Sequence, residues 1–218
     1  MNEIKFLFKL VFAVALAAVV GFVGYWGYKY YVCQGPNARL GGDYTEFLGK
    51  CAIEAKDYAR VRNLNDRYCI FVDYSIPSGT PRVFVWSFEK EKVVYKTYTM
   101  HGPGMGSTAE KPVFSNLPGS KCSSLGHFAV TKVHGTRNKR GFRIKGLDIA
   151  NKTAYARGLM IHRAKWVDTN CWREYIPLQP KCCLGCITVS SKGMNYLEKL
   201  IKGEEKQILL WSFTSESS

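Results

Sequence analysis

The sequence predicts a mainly β domain with a few helices, set behind one N-terminal membrane helix. Residues 10–28, LVFAVALAAVVGFVGYWGY, are uncharged, and as a helix rising about 1.5 Å per residue they span roughly 28 Å, close to a bilayer's hydrocarbon thickness. From Tyr68 onward, segment after segment is rich in β-branched and aromatic residues with partial alternation, which is strand chemistry. Only two later stretches, 44–62 and 192–203, place apolar residues at helical spacing.

The chain's 218 residues, 46% hydrophobic, suffice for one compact domain with a core plus an appendage. Lys+Arg 31 against Asp+Glu 17 gives a formal charge of +14, which favours anionic partners. The densest basic run, Arg137, Lys139, Arg140, Arg143 and Lys145, holds only Phe142 as a stacking aromatic. It fits no nucleic-acid motif and reads as a basic hairpin, so no nucleic-acid partner is expected. Eight cysteines predict an oxidising compartment with some disulfides, and proximity alone offers Cys51 to Cys69 and Cys171 to Cys182.

In chain order, residues 1–34 read as an uncleaved membrane anchor. Its aromatic end (Tyr25, Trp26, Tyr28, Tyr30, Tyr31) suits the interfacial belt. Ala13, Ala15 and Ala17 fall in the middle of the apolar run rather than after it, which disfavours a cleaved signal peptide. Residues 35–66 read as a Gly/Pro linker, with Asp43 as helix N-cap, and a packing helix striped by Phe47, Cys51, Ala55 and Tyr58. Residues 67–218 form the main domain.

Within that domain, 67–75, 81–89 and 92–100 read as strands, with a hairpin turn at 89–92. A long segment rich in glycine, proline and serine, 101–126, has the length of a functional loop. A strand pair (127–133 and 141–149) and a short helical or irregular piece at 151–158 follow. Then come a strand closed by His162, a polar loop at 167–181, a strand after Cys186, a helix at 192–203 and a last strand at 206–213.

Chemistry concentrates in CLGCITVSS, 183–191, and LMIHRAKW, 159–166. A glycine directly before Cys186, then a β-prone run, displays a thiol at a tight turn. A thiol with an ordinary pKa of about 8.5 is mostly protonated at neutral pH and needs a base beside it. His162, at the end of an apolar strand, is the candidate base. A lone Cys or His in an apolar run is ordinarily a packed core residue, so the pair gains weight only from its context.

The order SNLPGSKCSSLGHFAVTKVHG, GFRIKGLDIANKTAYARGLMIHRAKWV and LGC resembles the murein L,D-transpeptidase catalytic domain of the YkuD type, over roughly 68–213. The resemblance implies a β-sandwich with a cysteine nucleophile, here Cys186, and a histidine base, here His162. It implies an oxyanion hole from the backbone N–H groups of Leu184, Gly185 and Cys186. It further implies ping-pong acyl transfer on peptidoglycan tetrapeptide stems, giving 3-3 cross-links through a thioester. Neither a cofactor nor a metal is implied. Weaker candidates for lining the substrate groove are Ser123, Ser124, Gly126, His101 and Arg157, the last as a carboxylate clamp. The location that follows is the bacterial inner membrane, with a single span and the domain on the periplasmic side.

Departures from the family pattern are visible. Cys183 stands where the family has Ser or Thr, Leu184 precedes Gly185 where histidine is commoner, and Ile187 and Thr188 replace a frequent proline and arginine. Arg163 follows His162 in place of a frequent glycine. Three alternatives stay open from sequence: an L,D-carboxypeptidase, a structural zinc site using Cys183 and Cys186 with Cys171 or Cys122, and a catalytically silent wall-binding module.

Overall fold

The computed structural model describes residues 2–34, 42–134 and 141–215. The chain divides into two compact units, Met1–Gly35 and Pro36–Ser218. The first is one helix, α1 (Asn2–Gln34). Its segment Lys9–Gly27 is long and apolar enough to be a candidate single membrane span, with a mean hydropathy of 2.1 and none of it buried.

The second unit opens with α2 (Gly42–Val61). Asp43 therefore lies in the first turn rather than capping it, and most of the expected linker lies outside the described residues. Among the described residues nine strands follow: β1 (Tyr68–Asp73), β2 (Val83–Ser87), β3 (Lys92–Thr97), β4 (Thr99–Met100), β5 (Gly126–His134), β6 (Gly141–Gly146), β7 (Met160–Arg163), β8 (Ile187–Val189) and β9 (Ile208–Phe213). Two more helices, α3 (Lys165–Asn170) and α4 (Ser191–Gly203), flank β8 in sequence. Ser190 caps α4 by accepting the Gly193 N–H at 3.0 Å. Residues 135–140, which carry much of the expected basic turn, lie outside the described residues.

These strands pair into one sheet, in the order β3-β2-β1-β9-β5-β6-β7-β8-β4. Its two edges, β3 and β4, are separated in sequence by the single residue Tyr98. Consecutive Cα atoms are only about 3.8 Å apart, so the sheet curls until its edges nearly meet.

Alternation along β1 shows how the core is divided. Ile70 and Val72 face the interior with Val85, Phe128, Ile144, Ile161, Ile187, Val189 and Leu210, where Met194, Leu197 and Ile201 of α4 also lie. Cys69 and Phe71 face the other way, onto Leu48, Ala52, Ala55 and Ala59 of α2. Small residues on α2 let it approach the strands closely. Tyr58 of α2 also stacks on His127 at 4.1 Å, and its hydroxyl donates to Asp148 Oδ1 at 3.1 Å.

The cysteines differ from expectation. Cys51, Cys69 and Cys182 lie outside any disulfide, while Cys171 is disulfide-bonded and so not to Cys182. Cys51 and Cys69 pack as small apolar groups between α2 and the sheet, so their proximity in sequence reflects a shared packing layer and not a bridge.

Candidate active site

β7 and β8 run parallel, with Ile161 opposite Ile187 and His162 opposite Thr188. Ile161, Ile187 and Val189 point into the core, so strand alternation sends His162 and Thr188 to the opposite face. Cys186, two residues before Thr188, belongs to that same face, one pleat from His162. It is half-buried and outside any disulfide. The register thus sets the two expected residues on one face of the sheet, from segments twenty-odd positions apart.

His162 is held closely. It is 3% exposed, and its Nδ1 lies 3.0 Å from the Arg163 carbonyl oxygen. A carbonyl only accepts, so Nδ1 carries the proton of the neutral ring and Nε2 is its basic atom. Across the strand pair, Gly141 lies opposite His162, and a Cβ there would sit 2.7 Å from the His162 Cβ. That glycine is what lets the imidazole pack.

The turn before Cys186 is built on Gly185, whose φ is +96. An added Cβ would lie 2.2 Å from the Cys122 carbonyl oxygen. Gly102 faces the same turn: a Cβ on it would be 2.9 Å from Gly185 N and 2.2 Å from Lys121 O. At Gly104 it would meet Ser120 O at 1.7 Å. Three backbone segments, 102–104, 120–122 and 183–186, therefore touch where side chains would hold them apart.

Cys183, fully buried, donates its S–H to the Cys186 carbonyl at 3.3 Å. Burial, then the neighbouring Cys186, pushes its thiol up to about 12, while the adjacent Gly185 backbone works the other way. Leu184 is 51% exposed at the tip of the turn.

Arg157 occupies a different place from a substrate clamp. One terminal nitrogen donates to Ser115 O (2.8 Å) and Ser124 Oγ (2.6 Å), the other to Ser120 Oγ (3.2 Å) and Cys122 O (2.7 Å). The guanidinium therefore staples the 115–124 loop, and one terminal nitrogen comes within 3.3 Å of the Cβ position of Gly185. Removing four bonds from a charged, half-buried donor is expected to cost about 2–3 kcal/mol. Urea unfolding of Arg157→Ala, with limited proteolysis at 115–121, measures it.

Ser124 is one of Arg157's partners, and Ser123 is buried, with its Oγ accepting the Gly102 N–H at 3.0 Å. Gly126, with φ +106, packs against the Asp148 and Asn151 side chains at the start of β5. His101 is 1% exposed. Arg82, which can only donate, bonds its Nδ1 at 3.2 Å, so its Nε2 carries the proton given to Thr108 O at 2.7 Å. Burial, then the Arg82 charge, lowers His101 to about 4. Since the unfolded ring binds a proton near pH 6.5 and the folded one does not, stability falls as pH drops from about 6.5 to about 4, by at most roughly 3 kcal/mol. His101→Gln is expected to lose less stability than wild type between about pH 7 and about pH 5 in urea titrations.

Tyr74 and Arg82 join the site with no sequence signal to single them out. Arg82 is 2% exposed, donates to Thr99 O (2.8 Å) and Ile76 O (3.0 Å), and lies 5.0 Å from the Tyr74 ring centroid. Burial lowers it to about 10 and raises Tyr74 to about 12. Arg82 reaches the cysteine turn through His101, whose chain neighbour Gly102 packs against Gly185. Among the described residues, no group of three or more His, Cys, Asp or Glu side chains is placed to hold a metal ion.

A model of the L,D-transpeptidase catalytic domain matches residues 45–211, more than half of the chain. The chain belongs to this family. Its members act on peptidoglycan, and the mostly β fold with few helices is the one the resemblance implied. Among solved structures, the chain is similar to the L,D-transpeptidase from Xylanimonas cellulosilytica: 16% identity, TM-score 0.37, covering 72% of this chain and 68% of that one. It is also similar to a mutant of the helical cell shape determining protein Pgp2 from Campylobacter jejuni: 16% identity, TM-score 0.40, covering 68% of this chain and 48% of that one. No curated protein matches the sequence.

Proposed function

We propose that this L,D-transpeptidase-family domain forms 3-3 cross-links between peptidoglycan stems through a Cys186 thioester. The observation that carries this reading is the His162 tautomer: Nδ1 is tied to the Arg163 carbonyl, so the basic Nε2 belongs to a ring on the same face as the Cys186 thiol. His162 takes the thiol proton, and the thiolate attacks the carbonyl of the third residue of a tetrapeptide stem. His162 then returns the proton to the leaving D-alanine amine. The amine of a second stem attacks the thioester, giving up its proton as sulfur leaves. The Leu184, Gly185 and Cys186 N–H groups are the oxyanion donors.

α1 anchors the domain as a single span, with the domain on the extracytoplasmic side, where its substrate lies. Incubating the full chain in detergent with a carbapenem tests the nucleophile: one adduct is expected, on the peptide containing Cys186. Its absence would overturn the reading. Incubation with disaccharide tetrapeptide tests the reaction, since 3-3 dimers mark the transpeptidase, whereas tripeptide alone would assign the chain to L,D-carboxypeptidase chemistry.

A further inference from the structure

Cys183 is chemically surplus to its structural duty. Its bond to the Cys186 carbonyl is one that a serine or threonine hydroxyl makes equally well, and the family pattern has such a hydroxyl at this position. What sulfur adds is redox chemistry. The two cysteines have C-x-x-C spacing on one turn closed by the positive φ of Gly185. The Cys183 sulfur lies 3.3 Å from the Cys186 carbonyl oxygen, folded back onto the residue whose thiol it would meet.

Their exposures are complementary. Cys186 is half-buried and can be reached from solvent, whereas Cys183 is 0% exposed. The adjacent thiol, Cys182, is engaged elsewhere, donating to the Gln179 carbonyl at 3.5 Å.

We propose that Cys183 and Cys186 form a peroxide-reactive dithiol, in which Cys186 is oxidised first and Cys183 captures it as a reversible disulfide. The inference rests on the reading of Cys186 as an activated thiol. The Cys186 thiolate attacks one oxygen of hydrogen peroxide, the O–O bond breaks, and with one proton the products are Cys186 sulfenic acid and water. The Cys183 sulfur then attacks the Cys186 sulfur, forming the S–S bond as hydroxide leaves and takes up the Cys183 proton to become a second water. Two thiols are oxidised and one peroxide is reduced. The first step also removes the thiolate charge that opposes ionisation of Cys183. Capture stops Cys186 from climbing to the irreversible sulfinic acid.

The test treats the full chain in detergent with hydrogen peroxide, then blocks free thiols with iodoacetamide and maps the tryptic peptide 182–192. The wild type is expected to lose two hydrogens from this peptide and its carbapenem adduct, and to recover both with dithiothreitol. Cys182→Ser is expected to behave the same way. Cys183→Ser, which keeps a hydroxyl for the turn, is expected to form no disulfide and to lose the adduct irreversibly as Cys186 sulfinic acid. A wild type that passes to sulfinic acid without a disulfide overturns the proposal, as does a disulfide that survives in Cys183→Ser or vanishes in Cys182→Ser. A chain that forms the disulfide yet never takes a carbapenem sustains the dithiol and removes the acyl-transfer reading, so the two failures are distinct.

Discussion

Cys186→Ala is expected to abolish cross-link formation, a loss of about 10,000-fold or more, with no change in far-ultraviolet circular dichroism. The thiol is half-buried at the start of β8 and outside both apolar clusters, so its removal leaves the packing intact. His162→Gln is expected to cost roughly 100- to 10,000-fold in acylation rate, because a glutamine cannot take the thiol proton. Residues that act as one unit lose their effect together, so the double variant is expected to be no slower than Cys186→Ala. Burst kinetics with a carbapenem reads acylation directly. Additive losses would show that the two side chains work separately, and would remove the base role from His162.

Much of this site is legible in the amino-acid order alone. Gly185 before Cys186, and an apolar run ending at His162, are local patterns whose physical demands show in neighbouring residues. Runs of β-branched and aromatic residues at 67–75, 81–89 and 206–213 likewise mark β1, β2 and β9, because strands buried on both faces are apolar almost throughout. The helix α3 falls largely in a stretch that reads as loop: its six residues, KWVDTN, are too few for a helical stripe.

The network around Arg82 is illegible for another reason. Arg82 precedes β2 in sequence as any strand-flanking arginine does, and its acceptors, Ile76 O, Thr99 O and His101 Nδ1, are fixed by the curl of the sheet rather than by spacing. Arg157 shows the same limit. A guanidinium suits a substrate carboxylate or a loop's carbonyls equally well, and only the fold of 115–124 decides between them. Local geometry writes itself into sequence, whereas long-range polar partners do not.

Glycine positions allow a sharper test of how the turn is built. Gly158 and Gly185 both have positive φ, +74 and +96 respectively, so alanine at either incurs left-handed strain of about 1–2 kcal/mol. At Gly158 an added Cβ meets nothing within 4 Å, so that strain is the whole expected cost. At Gly185 the Cβ falls 2.2 Å from the Cys122 carbonyl oxygen and 2.9 Å from its carbon, both backbone atoms that cannot rotate away. Forced overpacking adds about 1–3 kcal/mol. Relief comes only by moving 183–186 or 120–122, and either shift moves the N–H groups of Leu184 and Cys186 that are proposed as oxyanion donors. Gly185→Ala is therefore expected to lower kcat by about 100-fold or more, the effect of losing one oxyanion donor, and to destabilise more than Gly158→Ala in urea. Equal stability of the two variants, with full activity in both, would show that the turn yields freely and that its backbone donors play no part in acyl transfer.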